Sequence, residues 1–138
     1  MTVRSSATFD VPASVLYRSF LDQGDLMRMT RSQATMNPTV GGDWSLFNGS
    51  VNGKIISLEE GKRIVQTWKF ANWAVESVAD IEFQSVGPMT TIISVTQTGV
   101  PSHDRYGNAD QDKLCLNGWE DKYWQGLATM LGYPRNKD

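Results

Sequence analysis

Apolar and polar side chains alternate with a period of two through much of residues 41–73, GGDWSLFNGSVNGKIISLEEGKRIVQTWKFANW. That period belongs to extended strands, whose successive side chains point to opposite faces. Asn48-Gly49 interrupts the first run, and both residues tolerate the positive φ that a two-residue type I′ turn requires. Closing the chain there sets Leu46 opposite Val51, Trp44 opposite Gly53 and Asp43 opposite Lys54. Trp44, Leu46, Val51 and Ile55 then share an apolar face, with Gly53 leaving space beside Trp44. Asp43 and Lys54 fall on the other face as an opposite-charge pair. Glu59, Glu60 and Gly61 make the next reversal. Beyond it Ile64, Gln66, Trp68 and Phe70 alternate with Arg63, Val65, Thr67 and Lys69. The first set is bulkier and more apolar, so it is placed inward, with Gln66 as its polar misfit. The segment predicts three strands of one antiparallel sheet.

The same alternation predicts strands elsewhere. Val3, Ser5, Ala7 and Phe9 alternate with Arg4, Ser6 and Thr8. Ala79, Ile81 and Phe83 alternate with Asp80 and Glu82, and Gly87-Pro88 turns the chain. Residues 89–98, MTTIISVTQT, are rich in β-branched side chains and form another strand. A short strand lies within 33–37 and stops at Pro38. Helical spacing takes over in three places. Asp10-Val11-Pro12 opens a helix that Asp10 can cap, with Val15, Leu16, Ser19 and Phe20 on one face. Gly24 ends or bends it, and residues 25–29 form a short second helix. A long helix spans about residues 109–131. At 100° per residue its apolar arc collects Cys115, Leu116, Trp119, Tyr123, Trp124, Gly126, Leu127, Met130 and Leu131. Glu120 intrudes on that arc. Asp121, Lys122, Gln125 and Thr129 form the opposite face, with Leu114 as an apolar exception. Gly118 inside this helix costs about 1 kcal/mol relative to Ala, which a close backbone contact would explain. Gly132 stops the helix and Pro134 follows.

Grouped strands flanked by helices imply an α+β fold, not an α/β one. The broad apolar arc of the last helix needs a broad partner, and the apolar face of the sheet is large enough. A curved antiparallel sheet wrapped around the long C-terminal helix would leave a cavity between them. The 138 residues suit a single domain over 1–138 with a sizeable core. The net charge of −2 and the scattered 13 basic residues argue against nucleic acid or an acidic membrane as partner. Cys115 is the lone cysteine, so no disulfide framework is expected, and a reducing compartment is the simplest setting. MTVRSSATFD lacks the apolar core of a signal peptide and no apolar run reaches about 20 residues, which makes the cytoplasm the default.

The string from Gly41 to Trp73, with Trp68-Lys69-Phe70 followed by Trp73, resembles the C-terminal domain of the Hsp90 ATPase activator (Aha1) family. So do Gly99-Val100-Pro101, Gly118-Trp119 with Tyr123 and Gly126, and the closing Gly132-Tyr133. The resemblance covers nearly the whole chain in the same order. It implies the helix-grip fold of the Bet v 1/START-like (SRPBCC) superfamily, in agreement with the pattern-based fold. It also implies Hsp90 as a protein partner. Full-length activators of the family carry a separate N-terminal domain with the main Hsp90 middle-domain contact and a motif needed for strong ATPase stimulation. This chain shows neither, so the resemblance implies Hsp90 association more than full activation, by a stand-alone relative or by a fragment of a longer protein.

Candidate chemistry is sparse. His103, the only histidine, sits in a polar loop without metal- or catalysis-spaced partners. Cys115 is expected as a small buried hydrophobe, not a nucleophile. Gly41-Gly42 is a loop-to-strand turn and not part of a phosphate-binding motif. No catalytic residue, metal or cofactor is expected. Trp44, Trp68, Trp119, Tyr123 and Met130 either fill the core or line a ligand cavity. Glu120 either enters that cavity or reaches solvent at the arc's edge. Trp73, at a corner between strands, is the aromatic expected at the surface, and packing under a neighbouring loop is the alternative. With Asn72, Lys69, Lys54 and Asp43 it forms the candidate partner surface. Three functions are compatible with this: a non-enzymatic Hsp90 co-chaperone domain that promotes the ATPase cycle, a binding or transport module for a small apolar ligand, and a cyclase-like enzyme of the same superfamily.

Overall fold

The computed structural model describes residues 1–136. Its strands are β1 (Val3–Phe9), β2 (Thr35–Met36), β3 (Asp43–Leu46), β4 (Val51–Glu59), β5 (Arg63–Phe70), β6 (Ser77–Gly87), β7 (Thr90–Thr98) and β8 (Arg135–Asn136). They form one eight-stranded sheet in the order β2-β3-β4-β5-β6-β7-β1-β8. Every neighbouring pair is antiparallel. The inner face carries Phe9, Trp44, Leu46, Ile55, Ile64, Trp68, Ala79, Ile81, Phe83, Ile93 and Val95, all buried. Gln66 is buried among them, as its place in the alternation predicts.

The first hairpin has the expected register: Asp43 pairs with Lys54, Trp44 with Gly53 and Leu46 with Val51. Its turn differs. Phe47, Asn48 and Gly49 make a 3-10 turn, all three with positive φ, and Ser50 completes the loop. A four-residue loop preserves the register of a two-residue one, so the pairing is right although the turn type is not. Gly53 does not leave room beside Trp44. A Cβ there would strike the carbonyl oxygen of Thr67 on β5, so the missing side chain admits a close strand approach. Between Ile55 and Ser57 the β4–β5 register shifts by one, which turns Ile56 outward.

Two helices, α1 (Ala13–Phe20) and α2 (Gln23–Thr30), close one side of the core. The N-cap of α1 is Pro12, without a side-chain cap. Asp10 instead bonds the C-terminal segment, its backbone N–H donating to the Pro134 carbonyl at 2.8 Å. Gly24 lies inside α2 and does not end α1. The break between them is made by Asp22, whose carboxylate accepts from the Asp25 amide at 2.9 Å and caps α2.

The C-terminal helix is one helical run of three parts: α3 (Gln111–Gly118), a π-helical segment (Trp119–Trp124) and α4 (Gln125–Thr129). Gln111, Cys115, Trp119, Tyr123 and Leu127 are buried at intervals of four residues. In a regular α-helix such a repeat drifts about 40° per step around the axis. The i→i+5 bonding of the π segment winds more slowly and holds these side chains against the sheet. Leu116, placed mid-arc by regular winding, is 45% exposed for that reason. Met130, 40% exposed, lies past the last turn, because the helix stops at Thr129 and not near 131. Gly118 has no close neighbour to justify it. The close contact belongs to Gly126, where a Cβ would lie 2.6 Å from the Met29 carbonyl oxygen.

These glycines make opposite predictions. Gly126→Ala and Gly53→Ala should each destabilise the fold by about 1–3 kcal/mol through overpacking. Gly118→Ala should leave stability unchanged or raise it by up to about 1 kcal/mol. Urea unfolding of the three variants checks this ordering, and a Gly118→Ala loss equal to the other two would contradict it.

Candidate functional site

The π segment places Trp119 and Tyr123 face to face, with ring centroids 4.1 Å apart. Tyr123 stacks further on Phe20 of α1. Polar tips in this aromatic layer are matched one by one. Trp119 Nε1 donates to Gln97 Oε1 at 2.8 Å, Gln97 Nε2 donates to Ser77 Oγ at 2.9 Å, and Ser77 Oγ donates to the Trp68 carbonyl at 2.5 Å. Trp68 Nε1 donates to the Tyr123 hydroxyl at 3.2 Å. Burial raises the pKa of that hydroxyl. Trp124 Nε1 donates to Ser5 Oγ at 2.8 Å. Trp44 is 2% exposed, and its Nε1 is the indole nitrogen without a hydrogen-bond partner among the described residues.

Part of the space expected beneath the helix is filled. The space bounded by Phe20, Leu26, Trp44, Leu46, Gln66 and Tyr123 amounts to about 10 Å³, the size of one water. Trp44, Trp68, Trp119 and Tyr123 are all buried, and Trp68 and Tyr123 also border the concavity described next. Met130 lies outside this space. Glu120 reaches the protein's edge, its side chain 46% exposed, where both carboxylate oxygens accept from Arg135 Nη2 of β8 at 3.0 and 2.9 Å.

A larger concavity opens between the inner face of β4–β5 and the C-terminal helix. Its volume is about 410 Å³. Phe47, Val51, Trp68, Phe70, Leu114 and Tyr123 form an almost wholly apolar wall. Asn117, Gly118, Asp121 and Lys122 line the helix side. Leu114, the apolar exception on the polar face of the helix, is half exposed here.

The corner at residues 71–74 departs from expectation. Trp73 is fully buried, so it is no surface anchor. Its ring packs on Trp68 and Phe70, and its Nε1 donates to Gln111 Oε1 at 2.7 Å. Gln111 Nε2 in turn donates to the Asn108 carbonyl at 3.1 Å. Arg105 Nη2 donates to the Trp73 carbonyl at 2.9 Å. Asn72 Nδ2 donates to Asp104 Oδ2 at 2.9 Å, so Asn72 belongs to this clamp as well. Asp104 also accepts from the amides of Tyr106 and Asn108 and from Asn108 Nδ2. The Asn108 side-chain bond is the largest of the influences holding its pKa below the usual aspartate value. Asp104, Arg105 and Gln111 escaped the sequence reading, although the Asp/Asn/Gly-rich composition of 104–110 carries the turn chemistry that organises them.

The other partner-surface candidates lie on the outer face of β3–β5. Lys54 Nζ donates to Asp43 Oδ1 at 2.6 Å, and both side chains are mostly exposed. Lys69 pairs across from Asn52 and is half-buried. His103 is exposed, its Nδ1 2.9 Å from Ser102 Oγ. Cys115 is 1% exposed, and burial pushes its thiol up to about 12. Among the described residues no group of three or more His, Cys, Asp or Glu is arranged to hold a metal ion. No described helix is long and apolar enough to cross a membrane.

A family model described as "Activator of Hsp90 ATPase homolog 1-like protein" matches residues 10–132. The activator of 90 kDa heat shock protein ATPase homolog of Dictyostelium discoideum is 34% identical over 134 residues, covering 96% of this chain and 33% of that protein. An uncharacterized Schizosaccharomyces pombe protein is 30% identical over 132 residues, 95% of this chain and 37% of its own length. The chain thus spans about a third of the curated relatives it matches. The crystal structure of an HSP90 activator from Plasmodium falciparum superposes with a TM-score of 0.95, 32% identity and 99% coverage of both chains. A Chromobacterium violaceum protein, 22% identical over 94% of this chain and 97% of its own, superposes with a TM-score of 0.70 and shares the helix-grip fold.

Two solution measurements follow from the site. Asp104 has a lowered folded-state pKa, so its contribution is present above the ordinary aspartate value of about 3.9 and is lost as pH falls through the lowered one. Asp104→Ala should lower the melting temperature at pH 7 and remove the corresponding acid-side loss. An unchanged pH–stability curve would contradict the clamp. Cys115 should resist a thiol reagent at pH 8 until the protein unfolds; fast labelling of the folded protein would contradict its burial.

Proposed function

The chain belongs to the family of Hsp90 ATPase activators, and from that membership we propose that it is an Hsp90 co-chaperone domain. It acts as an activator or binding protein, not as a catalyst. The observation that carries this reading is the near-complete superposition on the Plasmodium falciparum HSP90 activator, 99% of both chains at 32% identity. The cytoplasm, where Hsp90 would be met, is part of the same proposal. Such a domain promotes ATP turnover only if it binds one conformational state of Hsp90 more tightly than the others.

The outer face of β3–β5, with Asp43, Lys54 and Lys69, is the contact we favour. Asp43 and Lys54 project into solvent from rigid strands and Lys69 is half-buried, whereas Trp73 and Asn72 are committed to the clamp below. Charges at the rim of such a contact govern association rate and its salt dependence more than affinity.

Titration of purified Hsp90 with the domain, read by calorimetry and by ATP turnover, tests the proposal. Saturable binding at or below tens of micromolar, roughly the scale of weak transient partners, is expected, with a modest rise in ATPase rate. Lys54→Glu combined with Lys69→Glu should slow association and flatten its salt dependence without lowering the melting temperature. Absence of binding at that concentration would overturn the co-chaperone reading. Unaltered association kinetics in the double variant would overturn only the choice of surface.

A further inference from the structure

We infer that Tyr106 is the apolar anchor of this domain's contact with Hsp90, presented beside the charged strand face by the loop of residues 104–108. The inference rests on the co-chaperone reading above and adds to it the side chain that holds the partner. A contact made by Asp43, Lys54 and Lys69 alone would be all rim. Exposed charges steer association and add little affinity, whereas a few aromatic side chains at the centre carry most of the binding energy. Trp73 is fully buried and cannot serve as that anchor. Tyr106 is 76% exposed, more than any other large apolar side chain among the described residues. It is also the one described aromatic residue that is neither buried nor half-buried.

The loop adjoins the charged face. β5 carries Lys69 and runs on through Phe70 into the corner that this loop clamps. The Arg105 N–H donates to the Asn72 carbonyl at 2.9 Å, and the Arg105 guanidinium holds the Trp73 carbonyl. Tyr106 therefore follows directly on the residue that grips the corner. Val75, half exposed on the same corner, adds apolar area. Glu76 ends the corner within electrostatic reach of Lys54, whose pKa is raised first by the hydrogen bond to Asp43 and in smaller part by Glu76.

The loop is built to hold the ring in place. Asp104 Oδ1 accepts from the Tyr106 and Asn108 amides, both at 2.9 Å, and Oδ2 accepts from the Asn72 and Asn108 side chains. The Gly107 N–H donates to the Asp104 carbonyl at 3.1 Å, with a φ of 84° that favours glycine. A nearly buried carboxylate thus fixes the backbone on both sides of an exposed tyrosine. Binding then has only two side-chain torsions to order, because the backbone is already set. The complementary site on Hsp90 is an apolar pocket with a hydrogen-bonding group to meet the phenol hydroxyl.

Kinetics of the whole domain with purified Hsp90, together with NMR of the domain's amides, test the anchor. Adding Hsp90 should shift or broaden the signals of Tyr106 and Gly107. Tyr106→Ala should weaken binding at least about tenfold through faster dissociation, with association rate and melting temperature unchanged. Tyr106→Phe, which keeps the ring, should retain most of the affinity. Met89→Ala, exposed at the opposite end of β6, should change nothing. Full affinity in Tyr106→Ala, or undisturbed signals at 106 and 107 in the formed complex, would overturn the anchor and leave the co-chaperone reading standing. A lowered melting temperature in Tyr106→Ala would assign the ring to the domain's own packing and overturn the anchor as well. If the unaltered domain does not bind Hsp90, both readings fall.

Discussion

The seat of Trp119 on the sheet is the constraint from which the remaining architecture follows. A buried indole offers a large apolar area and one N–H that must find an acceptor. Gln97 provides the acceptor from near the C-terminal end of β7, and its own amide is held by Ser77 of β6. An aromatic side chain removes roughly 150–250 Å² from water, several kcal/mol at about 25 cal/mol per Å². That gain requires the helix at one height and one rotation. The π segment supplies the rotation: it sets Trp119, Tyr123 and Leu127 on one line against a curved sheet where regular winding would carry them round the axis.

Sheet and helix meet through interlocked rings around Trp119 and Tyr123, and an apolar concavity opens beside them. The outer strand face with Asp43, Lys54 and Lys69, proposed above as the Hsp90 contact, is a polar surface on stiff elements. The concavity is walled by the positive-φ hairpin turn and the inner face of β4–β5 on one side and by the helix around Gly118 on the other.

Much of this was legible in the sequence wherever a strand alternated cleanly. Trp44, Leu46, Val51 and Ile55 declared their face, and the Asp43–Lys54 pairing followed from where the chain could turn. The turn type did not, because several loop geometries share one register and Phe47 gives no outward sign of accepting positive φ. The winding of the last helix is hidden for a related reason: a 100° wheel assumes regular i→i+4 bonding, so it sets Leu116 inside and does not single out the four-residue repeat from Gln111 to Leu127. Trp73 was misplaced because its partners, Gln111 and Arg105, lie more than thirty residues onward. Nothing local marks a corner that a distant loop will cover. Trp44, Trp68, Trp119 and Tyr123 lie in the core as their spacing implies, but only coordinates show how much space their volumes leave beside the helix.

Hydrogen exchange of the Trp119 indole N–H, followed by NMR, bears most directly on the seating of the helix. A bond to Gln97 inside the closed grip predicts exchange only through global opening, with a protection free energy equal to that of whole-domain unfolding. Exchange at the rate of a solvent-exposed indole would show that the helix does not sit on the sheet as described.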